Sequence, residues 1–380
     1  MTLTATHRPV SVVRRSASAR TGALAHVGLN WFAIVMGTGI LANAAATLPL
    51  QLPGQRAAAT GVWMLATLLL AALGVAWAVR MIRHRGQVRA DREHPVLAHF
   101  SGAPPMALLT VGAGAMLLGK DVIGETAALA MDWVLWPLGT ALGLATAVAV
   151  PYRMITRTPA GAPDAAFGGW LMPVVAPMVS AATGVLLLPH TPPGQARLTL
   201  LVCCGAMFGL SLIAALLTTT MIWSRLMHFG APAAGLVPTL WIVLGPLGQS
   251  VTAAGAMADA APAVAPPAQA AGLVLAATIF GIATWGFAML WLTLALAVTA
   301  RTVRAGALGF SLTWWGFTFP LGTCVTGSTA LFAHTGAELF AVVAVGLYLL
   351  LAVAWWTVAP RTVLGVRDGS LLRPPAPAPV

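Results

Sequence analysis

Charge is what this chain has least of. Asp, Glu, Lys and Arg make up 8% of its 380 residues, and only 9 residues are acidic. Soluble domains typically carry about 25% charged residues, so a water-facing surface of ordinary size is excluded. Disorder is excluded as well, because 59% of residues are hydrophobic and disordered chains combine low hydrophobicity with high charge. Cysteine is nearly absent: Cys203, Cys204 and Cys324 lie in apolar stretches with no CxxC spacing. Neither a disulfide framework nor a zinc site is expected. The 8 histidines scatter over tails and helix ends without an HExxH pair, so no metal or cofactor is expected. No Ser-His-Asp, paired-carboxylate or P-loop pattern occurs, and a multi-span enzyme is the weakest function class.

What the chain does have is long apolar runs, with a mean hydropathy of +0.87. A spanning helix needs about 20 apolar residues. Ten runs meet that length, at about 25–48, 57–82, 97–118, 126–150, 169–189, 197–222, 232–257, 269–299, 305–331 and 337–359. The expected organisation is a basic N-terminal tail over 1–24, one transmembrane domain over 25–359 and a Pro-rich C-terminal tail over 360–380. The fold class is an all-α membrane protein of ten transmembrane helices.

Basic residues test that division independently. Of the 20 lysines and arginines, 17 fall on the side that holds both tails, and only Arg56, Lys120 and Arg197 fall on the other. Such a bias predicts cytoplasmic N- and C-termini, and the expected location is the plasma or inner membrane as a multi-pass protein. The net charge of +11 then reflects orientation and attraction to anionic lipid. No nucleic-acid-binding motif accompanies it, and no nucleic-acid partner is expected. Glu125, Asp132, Asp259 and Glu338 map to the outer ends of spans, which leaves no buried carboxylate for a proton relay.

Prolines alternate with the spans. Pro104, Pro105, Pro173, Pro177, Pro238, Pro246 and Pro320 fall on odd spans, and Pro137 is alone on an even one; the first span carries Gly37-Thr38-Gly39 instead. Proline removes a helix hydrogen bond and clashes with the preceding turn, and in a membrane such breaks survive only against protein or a water-filled cavity. The alternation predicts five helical hairpins, each giving a broken helix to an inner ring and a smooth one to an outer ring. Candidate path residues are the hydroxyls and amides of the odd spans: Thr38, Thr110, Ser180, Thr183, Gln249, Ser250, Thr252, Thr318, Thr323 and Thr326. Each such hydroxyl also has an ordinary role, bonding a backbone carbonyl or a neighbouring helix. A path of small residues and exposed dipoles without a carboxylate ring suits an anion.

Five stretches in order carry a resemblance. They are Trp31 to Gly39 (WFAIVMGTG); His94-Pro95 with Phe100 and Pro105-Met106; Met172-Pro173 with Pro177; Gly245 to Ser250 (GPLGQS); and Trp314-Trp315 with Phe319-Pro320. Together they resemble the tellurite-resistance/dicarboxylate transporter family. Its members include bacterial tellurite-resistance anion channels, plant slow anion channels, fungal malate permeases and fungal sulfite efflux pumps. The resemblance covers about 25–359 and omits both tails. It implies five hairpins in quasi-fivefold order around a central pore, and a homotrimer with one pore per subunit. It also implies a phenylalanine plug on the ninth span, Phe319, with Phe317 as the alternative because only the Phe-Pro pairing sets the register. Pore-lining or substrate-binding candidates by this match are Gly37, Thr38, Gly39, Pro105, Thr110, Pro173, Pro177, Pro246, Gln249, Ser250, Pro320 and Thr323. The implied substrate is a small anion, a C4-dicarboxylate such as malate or else sulfite or tellurite. The alternative is a gated channel for ions of the chloride or nitrate kind.

Overall fold

The computed structural model describes residues 22–156 and 163–373. Most of the basic N-terminal tail, Arg157 and the end of the Pro-rich tail lie outside the described residues. Among those described, nine helices are long and apolar enough to cross a membrane: Leu29–Thr47, Gln55–Arg83, Leu97–Ile123, Glu125–Thr156, Gly168–His190, Gln195–Phe229, Ala234–Ala263, Pro267–Arg304 and Glu338–Arg367. The remaining span lies between the last two and is split into Leu312–Phe317 and Phe319–Thr335. In chain order these are spans one to ten.

Odd and even spans bury different amounts of surface. In spans one, three, five and seven, 61% to 89% of the most apolar window is buried inside the protein, against 11% to 22% in the even spans. Apolar helices left uncovered by protein need lipid around them. The odd spans therefore form the core. They close a ring, each packing on the next and the ninth returning to the first. Each even span packs on the odd span before it and on the odd span after it. That is the fivefold order of hairpins expected from the sequence.

Proline produces this layering differently from the expected mid-helix breaks. Every odd span opens with 3-10 turns (Leu29–Trp31, Leu97–Gly102, Gly168–Leu171, Ala234–Val243 and Leu312–Phe317) and then becomes α-helical. Pro104, Pro173 and Pro320 stand in the first turn of the α-helical part, where the missing N–H costs nothing and the fixed φ suits the helix. Pro177 and Pro238 are interior to odd spans. Even spans also hold interior prolines, Pro137, Pro151 and Pro360, within continuous α-helix. What separates the two classes is the change of helix type in the odd spans.

Turns within hairpins are tight on the side away from the arginines. Gly54, Gly124, Gly194 and Gly336, just ahead of spans two, four, six and ten, have φ between 68° and 87°, a conformation that a side chain would strain. On the arginine-rich side a nine-residue helix, Arg85–Glu93, follows span two. It is pinned by the buried Arg80, which pairs with Asp91 at 2.7 Å and donates from Nε to the Ala25 carbonyl at 2.9 Å. Span ten runs on to Arg367, so the first part of the expected C-terminal tail is helical, and Leu371 folds back beside Gly365.

Candidate functional site

All five odd spans meet around one small cavity. Met36 of span one, Phe100 and Met106 of span three, and Met172 and Val175 of span five line it, with Ile242, Gly245 and Pro246 of span seven and Trp315, Phe319 and Pro320 of span nine. Its volume is about 20 Å³, room for roughly one water. Among the described residues, no acidic or basic side chain lines it. The α-helical parts of the five spans begin at Phe32, Ala103, Met172, Leu244 and Phe319, each within three residues of a lining residue. Each start continues the 3-10 turn before it, whose carbonyls take the N–H at the junction: Phe32 to Leu29, Ala103 to Phe100, Met172 to Gly169, Leu244 to Trp241 and Thr318 to Trp315. Among the described residues the cavity is therefore apolar and free of carboxylates, with no side chain that would hold a cation.

The two phenylalanines of span nine separate here. Phe319 lines the cavity beside Pro320. Phe317 turns to span seven, edge-on to Trp241 with ring centroids 5.1 Å apart, and sits outside the cavity. Pro246 joins Phe319 and Pro320 in the lining.

Other candidates hold the ring together. A Cβ at Gly37 would strike Thr318 and Trp315 of span nine, and one at Gly39 would come within 2.7 Å of Thr110 Cγ2 in span three. Thr38 Oγ1 accepts from Trp355 Nε1 of span ten at 3.1 Å. Thr110 donates to the Met106 carbonyl at 2.6 Å and Ser250 to the Leu247 carbonyl at 2.9 Å. Thr323 donates to the Pro320 carbonyl at 2.7 Å, with the Leu244 and Gly245 carbonyls of span seven each at 3.3 Å. Ser180, Thr183 and Thr318 likewise bond carbonyls of their own helices, and Thr252 and Thr326 bond each other across spans seven and nine at 2.7 Å. Pro173 and Pro177 are buried in span five, and Pro105 lines a second cavity outside the ring. Gln249 is buried in span seven, outside the lining of the central cavity. Hydroxyls engaged by helix carbonyls are not free to solvate an ion.

Residues 26–363 match the family model of SLAC1, described as voltage-dependent anion channels. The chain belongs to the SLAC1 family. Curated relatives agree: it is 30% identical over 345 residues to an uncharacterized transporter of Methanocaldococcus jannaschii, covering 90% of this chain and 94% of the relative. It is 28% identical over 340 residues to the sulfite efflux pump of Trichophyton rubrum, covering 88% and 89%. The sulfite efflux pump of Arthroderma otae matches to the same extent. The family and these relatives are channels and transporters, and the chain is a SLAC1 family anion transporter of the membrane.

In this SLAC1 family member most of the lining is apolar, so polar residue types do not point to it. Met36, Phe100, Met106 and Met172 stood in the matched stretches, and Ile242 and Val175 gave no signal beyond apolarity. Asp132 corrects another expectation. It is fully buried inside span four, with both carboxylate oxygens unpartnered and Gly112 of span three against it. One buried acid therefore exists, but it faces an outer-to-inner helix contact and is absent from the central lining.

Proposed function

We propose that the chain conducts a compact oxyanion, sulfite first, along the axis of its inner ring, with Phe319 as the gate. The observation that carries this reading is the apolar, acid-free cavity at Phe319, where all five inner spans meet. An anion crossing there sheds water against phenyl and methionine surfaces, and a dewetted constriction is a recognised gate. With no carboxylate in the lining, a cation finds no partner there. Sulfite is placed ahead of malate and tellurite because fungal sulfite efflux pumps match nearly the whole chain.

Further parts of the reading are a homotrimer with one path per subunit and a plasma or inner membrane location, following the family resemblance, and cytoplasmic termini, following the arginine bias. Chloride or nitrate conduction is the second reading, favoured by the family's description as anion channels. Liposome flux with sulfite, malate, tellurite, nitrate and chloride separates them: the proposal expects sulfite to lead and the rate to rise linearly with concentration. Saturating, proton-dependent flux would replace the channel with a carrier. Reversal potentials favouring potassium or sodium over every anion would reject the reading altogether.

A further inference from the structure

A second cavity, of about 330 Å³, opens outside the ring on the arginine-rich side, where the ends of spans two, three and four meet the helix Arg85–Glu93. Its interior is apolar, with Phe32, Trp77, Leu142, Ala145 and Ala149 among its walls. Its mouth is basic. Arg92 and Arg153 line both this cavity and an adjoining one of about 480 Å³ that also holds Arg85 and Arg89. Arg89 and Glu93 pair loosely at 3.7 Å, and Asp91 is committed to Arg80 at 2.7 Å. Arg85, Arg92 and Arg153 make no ion pair with any described residue. The cavity therefore suits a ligand with an anionic end and an apolar body.

We propose that this cavity binds an anionic phospholipid of the adjoining leaflet. The phosphate sits among Arg85, Arg92 and Arg153, and an acyl chain lies over Leu142, Ala145 and Ala149. Basic pockets between spanning helices suit such headgroups. A soluble phosphate would leave the apolar walls unoccupied, which is why a lipid is preferred. Ser101, in the wall of this cavity, is next to Phe100 of the central cavity, so an occupied lipid site braces the start of span three where it enters the ring.

The test is native mass spectrometry of the full chain with dioleoyl phosphatidylglycerol, with dioleoyl phosphatidylcholine, and with glycerol 3-phosphate. The expected result is one phosphatidylglycerol retained per chain in preference to phosphatidylcholine, with no competition from millimolar glycerol 3-phosphate. Charge removal in the Arg92→Gln, Arg153→Gln double variant should weaken retention about tenfold or more. Ala149→Trp, which fills the cavity from an exposed position, should weaken it without changing charge. Thermal stability and oligomer size measured beside each variant show that the fold is kept. Equal retention of phosphatidylcholine, unchanged retention in both variants, or full competition by glycerol 3-phosphate would overturn the proposal. None of these outcomes depends on which anion the central path carries.

Discussion

Phe319 and Phe317 are two residues apart on one span and differ in what surrounds them. Phe319 stands at the start of the α-helical part, facing the five-helix cavity, whereas Phe317 packs edge-on against Trp241 and Trp314. Truncating a ring that narrows a path lowers the barrier, and a gain of about 1.4 kcal/mol raises flux about tenfold. Phe319→Ala should therefore raise anion flux about tenfold per assembled protein, and Phe319→Leu less. Phe317→Ala should leave flux near the starting value and cost about 3–5 kcal/mol of stability. Flux in liposomes beside thermal unfolding checks both; unchanged flux in a stable Phe319→Ala protein would remove the gate.

Between elements, glycine decides how closely the inner helices approach. A Cβ at Gly248 would lie 2.5 Å from the Cys324 backbone nitrogen, and one at Gly322 would strike Ile40. Spans seven, nine and one can close the ring only because these side chains are absent. Gly248→Ala should cost about 1–3 kcal/mol through overpacking, whereas Gly209→Ala, which meets open space on span six, should stay within about 0.5 kcal/mol. Thermal midpoints of the two variants in one detergent give the comparison. The Arg80–Asp91 pair acts between elements too. Asp91→Asn leaves a guanidinium that is 2% exposed without its carboxylate, a loss of about 3 kcal/mol for a buried pair. Hydrogen exchange over Arg85–Glu93 should then speed up before the spanning helices are affected.

At the scale of the whole molecule, five hairpins of one orientation put every inner helix parallel to the others and every outer helix antiparallel. The connections between hairpins then share one face, and so do the tight turns within them. Reporter fusions after Arg56, Lys120 and Arg197 should report one side, and those after Arg89 and Arg373 the opposite side. A fusion after Arg373 on the same side as Lys120 would break the hairpin order. The exposed Arg56–Asp121 pair, at 2.6 Å, and His334 with Asp259, at 2.8 Å, close the face that carries few arginines. Neither borders the central cavity.

Membrane insertion, the number of spans and the sidedness of charge were all written in the sequence, because each follows from apolar length and arginine position along the chain. The alternation of core and lipid-facing helices was legible as well, through the prolines of spans three, five, seven and nine. Where the prolines act was not: Pro104 and Pro320 begin helices, while Pro137 and Pro151 sit inside one, and only backbone geometry tells these apart. The hydroxyls Thr38, Thr110 and Thr323 looked like path residues because composition cannot say which way a helix faces, and in the structure carbonyls and a tryptophan N–H engage them. Asp132 read as a residue near an outer helix end and proved fully buried. Ring closure brings span nine back to span one, a contact between residues almost three hundred positions apart that no local pattern encodes. The sequence by itself determined what kind of solvent this chain folds in and on which face its arginines gather; only tertiary packing decided which side chains meet at the central cavity, because that depends on the rotation of five helices against one another.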